Sequence, residues 1–166
     1  MKARNRLAGL LVLAIIAAMA YLWLFTASLQ RVPDIAVKTL DGEVIDLAAL
    51  RGQPMLVSFW ATTCAACVKE LPQLIALYHE LAPKGLQVIA VAMADDPPNR
   101  VIAMRDARRI PYPIALDLDA SIAMAFGGIS MTPTTFLIAP DGRVITHNSG
   151  KMDVDKMRRR ILNLLG

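Results

Sequence analysis

At 166 residues the chain has room for one domain and an accessory segment. Its net charge of +4 resides in Lys2, Arg4, Arg6 and Arg31; 14 cations and 14 acids remain, so residues 32–166 are formally neutral and no basic nucleic-acid face is expected. The only two cysteines share one short motif, and the two histidines have no ligand-spaced partners, which excludes a disulfide-stapled scaffold and a structural zinc set.

Residues 7–30 form an uninterrupted run of 24 residues without formal charge, long enough for a helix to cross a bilayer. Lys2, Arg4 and Arg6 precede it, so the positive-inside rule keeps the N-terminus cytoplasmic and exports the rest. Ala18-Met19-Ala20 matches a signal-peptide cleavage pattern, but Tyr21-Leu22-Trp23-Leu24-Phe25 carries the apolar run past it, which favours an uncleaved anchor. Both readings put the following domain outside the cytoplasm. The expected division is a membrane anchor over 1–31 and a catalytic domain over 32–166, on the outer side of the cytoplasmic membrane.

Pro33 marks the exit from the anchor. Strands are expected at 35–40 and 43–47, joined at Asp41-Gly42, and a buried strand at 55–61. A helix follows over 64–82, with Leu71, Leu74, Ile75, Tyr78 and Leu81 at helical spacing and Pro72 expected to kink it. A second buried strand (86–94) leads through the loop Asp95-Asp96-Pro97-Pro98 to a helix at 99–110, a short strand at 113–116 and a small helix at 120–126. Strands at 134–139 and 143–147 flank the Asp141-Gly142 turn, and Asp153 is placed to cap a last helix whose Val154, Met157, Ile161 and Leu164 face inward. The pattern predicts an α/β domain: a mixed central sheet with helices on both faces. Arg105, Arg108, Arg109 and the arginines at 158–160 read as solvated helix faces.

Cys64-Ala65-Ala66-Cys67 falls where the buried strand gives way to the helix. A cysteine at a helix N-terminus meets unpaired backbone N–H groups and the positive end of the helix dipole, which favour its thiolate. The thiolate is the species that attacks a disulfide. A second thiol one turn later is close enough to resolve the mixed disulfide. The motif points to redox chemistry with Cys64–Cys67 as a redox-active disulfide and no separate cofactor.

Phe59-Trp60-Ala61 followed by Cys64-x-x-Cys67 resembles the thioredoxin active-site signature, and Thr132-Pro133-Thr134-Thr135-Phe136 resembles the cis-proline loop of that fold. Pro33-Asp34, the Asp41-Gly42 hairpin and Cys64-x-x-Cys67-x-x-Glu70-Leu71-Pro72 narrow the likeness to the membrane-anchored TlpA/ResA-like thiol–disulfide oxidoreductases. The resemblance implies a thioredoxin-like fold, Cys64 as the partly exposed attacking thiol, Cys67 as the buried resolving one, and a cis bond between Thr132 and Pro133. It further implies that the backbone beside Pro133, with Thr132 and the surface around Trp60, receives an extended substrate chain. The substrates implied are disulfides in partner proteins, such as apocytochrome c or copper-site assembly factors, with electrons arriving from a membrane thiol carrier.

The chain departs from thioredoxin at Ser58, where thioredoxin has a buried aspartate, and Glu70 matches a buried glutamate of the anchored group. Three residues beyond Cys67 on a helix, Glu70 shares its side, and a partly desolvated carboxylate there would accept the Cys67 proton. Ala65-Ala66 supplies no charge, so the Cys64 thiol is expected to titrate at about 7 to 8 with a reducing to intermediate potential. Met131 beside two thiols would make a soft Cu(I) site, giving a copper chaperone as an alternative function, although packing is the expected role of its side chain. A net disulfide oxidant or isomerase is the other alternative. A peroxidase is excluded, because Ala61 and Val57 stand where that motif needs Thr and Pro.

Overall fold

A computed structural model describes residue 9, residues 12–21 and residues 31–166; of the expected span at 7–30, residues 10, 11 and 22–30 lie outside the described set along with 7 and 8. Residues 12–21 are helical, and among the described residues no helix is long and apolar enough to cross a membrane. The segment Val32–Gly166 forms a compact unit by itself.

Seven strands and four α-helices build that unit. Strands β1 (Ala36–Lys38) and β2 (Val44–Asp46) pair as an antiparallel hairpin, shorter than the sequence pattern suggests, with further backbone bonds from Thr39 to Glu43 and from Leu47 to Ile35 at its two ends. The main sheet contains β3 (Met55–Trp60), β4 (Gln87–Ala92), β5 (Ile114–Leu116), β6 (Thr134–Ile138) and β7 (Val144–Ser149) in the order β5-β4-β3-β6-β7. β3, β4 and β5 run parallel; β6 is antiparallel to β3, and β7 to β6. Helices α1 (Ala65–Leu81), α2 (Pro98–Arg108), α3 (Ser121–Ala125) and α4 (Val154–Leu165) complete it, with a 3-10 turn at Ala82–Lys84.

The pleat of the central strands divides the core between two faces. Leu56, Trp60, Val88, Ala90 and Leu137 point to the layer holding Leu71, Leu74, Leu77 and Leu81 of α1, Val101 of α2, and Met157 and Ile161 of α4. Met55, Val57, Phe59, Ile89, Val91 and Phe136 point the other way, toward Val37, Leu47 and the α3 residues Ile122 and Ala123. There Phe59, Phe126 and Phe136 form a cluster with ring centroids 5.0–6.0 Å apart. A strand buried on both faces has no polar side to alternate with, which is why β3 reads as a continuous apolar run.

Local chemistry closes the elements. The helix after the Cys-x-x-Cys motif is continuous through Pro72 and is followed by the 3-10 turn, which ends at Gly85 with φ +110°. Asp153 caps α4 by accepting from the Lys156 N–H at 2.9 Å. Buried Asp117 does the same for α3, its two oxygens accepting from the N–H groups of Ile122 and Ala123. Arg158 of α4 donates from Nε and Nη2 to Glu80 of α1.

Both edges of the sheet are modified. Thr39 bridges Ala115, and the Leu40 N–H donates to the Ile114 carbonyl at 2.8 Å, so the hairpin occupies the outer edge of β5. At the opposite edge the β6–β7 register shifts between Leu137 and Ile138.

Leu56 is fully buried in β3 among the helix-facing residues. Leu56→Ala is expected to lower unfolding stability by about 2–5 kcal/mol through transfer and cavity costs, read from the urea midpoint.

Candidate active site

Six buried residues carry β3 to its carboxyl end, and four residues later the chain turns into α1. The turn is clamped from the side: Asp96, buried in the loop after β4, accepts from the Thr62 N–H at 2.6 Å and from the Thr62 hydroxyl at 2.5 Å. The Met93 N–H donates to the Trp60 carbonyl at 3.1 Å, so the two loops leave the sheet side by side.

Cys64 is the N-cap of α1 rather than its first helical residue, with extended backbone angles of φ −81° and ψ 101°. Its Sγ accepts from the Cys67 N–H at 3.1 Å, a position in which a thiolate would take one of the helix's unpaired donors. Cys64 and Cys67 are joined in a disulfide, with Cα atoms 5.2 Å apart. Cys64 is half-buried, whereas Cys67 is only 4% exposed. An incoming sulfur therefore meets Cys64.

The Thr132–Pro133 peptide bond is cis. The pairing of Phe59 with Thr134 sets Pro133 level with Trp60, the last residue of β3, and Thr134 Oγ1 donates to the Met131 carbonyl at 2.8 Å. Between this loop and the disulfide runs an open groove of about 400 Å³, lined by Cys64, Thr63, Ala61, Met93, Asp95, Ser130 and Thr132. Asp95 is the one charged side chain lining it.

Glu70 is 6% exposed, one turn along α1 from Cys67. Its Oε1 accepts from the Met152 N–H at 2.6 Å, across 82 residues of chain. Burial raises its pKa above the ordinary carboxylate range, opposed in part by the Met152 N–H and the Lys151 charge. Glu70 and Cys67 line one small cavity together with Trp60, Tyr112, Ser58 and Pro133. The Ser58 hydroxyl has only a 3.4 Å contact with Thr135 Oγ1 in the facing position of β6.

Two placements differ from the sequence expectations. Trp60 was expected at the surface around the disulfide; it is 4% exposed, because as the last residue of β3 it falls on the helix-facing side of the pleat. Met131, expected to pack, is 59% exposed on the loop between Ser130 and Thr132. The structure also brings to the site Asp96 and Tyr112, two residues that no sequence pattern marks. Asp96 sits in an Asp-Asp-Pro-Pro stretch indistinguishable from a solvated turn, and Tyr112 lies between two prolines before a short strand. Among the described residues no three His, Cys, Asp or Glu side chains gather as a metal site.

The sequence matches the AhpC/TSA family model over residues 29–147. It is similar to the thiol-disulfide oxidoreductase ResA of Bacillus thuringiensis, 31% identical over 128 residues that cover 77% of this chain and 73% of that protein. In structure it is similar to a putative thioredoxin from Neisseria meningitidis, with a TM-score of 0.76 and 28% identity over 81% of this chain and 90% of that one. A thiol:disulfide interchange protein of the thioredoxin family from Chlorobium tepidum superposes with a TM-score of 0.75 and 26% identity, covering 82% of this chain and 97% of that one.

A carboxyl group with a raised folded-state pKa binds its proton more tightly in the native state. Its stabilising contribution is complete below the unfolded pKa and is lost as pH rises through the folded one. The stability difference between wild type and Glu70→Gln, measured by denaturation of the oxidised protein, should therefore move in favour of the variant as pH climbs from the ordinary carboxylate range. A difference that moves toward wild type over that window would contradict the burial penalty.

Proposed function

Because the chain belongs to the AhpC/TSA family and is a thiol–disulfide oxidoreductase, we propose that it works as a reductant of disulfides in partner proteins on the outer side of the cytoplasmic membrane. Residues 1–31 would tether it and residues 32–166 carry the chemistry. Suitable substrates are the haem-binding cysteines of apocytochrome c or the cysteines of copper-site assembly proteins, and a membrane thiol carrier would return the electrons.

The observation that carries the direction is the poverty of stabilisation around Cys64. Its Sγ receives one backbone N–H, no cation lines the groove, and the charged side chain there is the carboxylate Asp95. A strong oxidant owes its potential to a stabilised reduced form. Here little favours that form, so the dithiol gives its electrons up.

In the reaction, the Cys64 thiolate attacks one sulfur of the substrate disulfide, forming a mixed disulfide and expelling the other sulfur as a thiolate. Cys67 loses its proton to Glu70 and attacks Cys64 Sγ. The Cys64–Cys67 bond forms, the Cys64–substrate bond breaks, and its electron pair leaves on the substrate sulfur. Two protons complete the substrate dithiol while the protein pair is oxidised. Thr132 lines the groove in which the extended substrate would lie, and its neighbour Pro133 lines the small cavity shared by Cys67 and Glu70.

A second reading, Cu(I) capture by Cys64, Cys67 and Met131, draws on the exposure of Met131 between two loop neighbours of the groove. Stoichiometric Cu(I) binding by the reduced chain, lost in both Cys67→Ser and Met131→Leu, would favour it.

Equilibration of the full chain against dithiothreitol should give a potential near that of thioredoxin, about −270 mV; a value near about −120 mV would make the protein a disulfide donor. Cys67→Ser should accumulate mixed disulfides through Cys64, visible as adducts on non-reducing gels.

A further inference from the structure

Beneath the Cys64–Cys67 pair lies a cavity of about 20 Å³, bounded by Cys67 and Glu70 of α1, Trp60 and Ser58 of β3, and Tyr112. A water needs roughly 10–15 Å³ and two to four polar partners. The volume suits one molecule. Trp60 Nε1 and Tyr112 Oη are both fully buried without a partner among the described residues, although buried donors of this kind are nearly always paired. That both orphaned atoms belong to residues lining one water-sized cavity, shared with a carboxyl and a thiol sulfur, is a single arrangement and not two separate defects.

We infer that one water occupies this cavity, held by the Trp60 indole N–H and the Tyr112 hydroxyl, and that it carries the proton from Cys67 to Glu70 during resolution of the mixed disulfide. Tyr112 is thus a positioning residue for the second step of exchange. The inference rests on the proposed role of Glu70 as proton acceptor. The indole N–H can only donate, so it fixes one lone pair of the water oxygen. The other lone pair accepts the Cys67 S–H, one water hydrogen goes to Glu70, and the second goes to Tyr112 Oη. Transfer moves one proton from Cys67 Sγ to the water oxygen and one from that oxygen to Glu70 Oε2. The water is regenerated, Cys67 becomes a thiolate and Glu70 a neutral acid.

Glu70 Oε1 already accepts from the Met152 N–H, a group that can only donate, so Oε2 is the oxygen open to the proton. The titratable and charged groups around Glu70 are Cys67, Tyr112 and Lys151. Burial and the Glu70 charge push the Tyr112 phenol upward, which keeps it a neutral partner throughout the working range. Its ring packs edge-on against Tyr78 with centroids 5.6 Å apart, a contact that phenylalanine preserves.

The test uses the reduced full chain and dithiobis-nitrobenzoate, an aromatic disulfide that expels one coloured thiolate on attack by Cys64 and a second when Cys67 resolves the adduct. In Tyr112→Phe the ratio of the second rate to the first should fall about tenfold, the scale of one lost hydrogen bond in the relay, with a displaced pH midpoint. In Glu70→Gln it should fall further, and the double variant should match Glu70→Gln alone. In wild type, the second rate plotted against the deuterium fraction of the solvent should bow, because two protons are in flight. A normal rate ratio in Glu70→Gln overturns the role of Glu70 and the relay with it. A slow Glu70→Gln beside an unchanged rate and pH midpoint in Tyr112→Phe, or a straight isotope plot, overturns the relay and leaves Glu70 as a direct acceptor.

Discussion

Strand β3 is hydrogen-bonded along both edges and buried on both faces, and the active end of the molecule is laid out from that one constraint. A strand so held cannot slip by one residue without turning its whole apolar set inside out. Its register with β6 stations the Thr132–Pro133 loop, and its register with β4 stations the loop that carries Asp96. Cys64 emerges between the two. The sulfur is placed by backbone pairing several residues away, and the Thr62–Asp96 bonds take up the freedom left in the turn.

The same rigidity lets an unfavourable group persist. A carboxyl enclosed among Leu71, Leu74 and Trp60 stands on the wrong side of the hydrophobic bargain, and one N–H from Met152 is modest compensation. Local conflicts of this kind gather where chemistry is done. Two thiols of equal affinity for their protons would have no order of action. Opposite surroundings, an N-cap for Cys64 and an apolar interior with an acid for Cys67, make the two sulfurs unequal.

The parts of this layout legible in the sequence are those governed by short-range rules. Turn residues, the apolar run of β3, the Asp153 cap and the three-residue step from Cys67 to Glu70 depend on neighbours along the chain, and each is readable there. Trp60 shows where that stops: its place in a signature suggested a surface role, but the pleat of β3 decides which face it joins. Met131 fails in the opposite sense, since apolar character says nothing about whether a loop carries the side chain outward. Asp96 and Tyr112 acquire their roles only from partners 34 and 42 residues away, Thr62 and Glu70. No local pattern announces them, and the orphaned polar atoms that single out Tyr112 exist only once the core has closed.

The bridge from Thr39 to Ala115 has a bearing on how the sheet avoids joining other chains. An open sheet edge presents unpaired N–H and C=O groups to any unfolded strand that meets it. With Leu40 donating to Ile114, the β5 edge is already spoken for by the molecule's own hairpin. On the far side, the register break at Leu137 and Ile138 interrupts the regular ladder of β7. Hairpin and register break together leave both edges of the sheet poorly matched to a regular incoming strand.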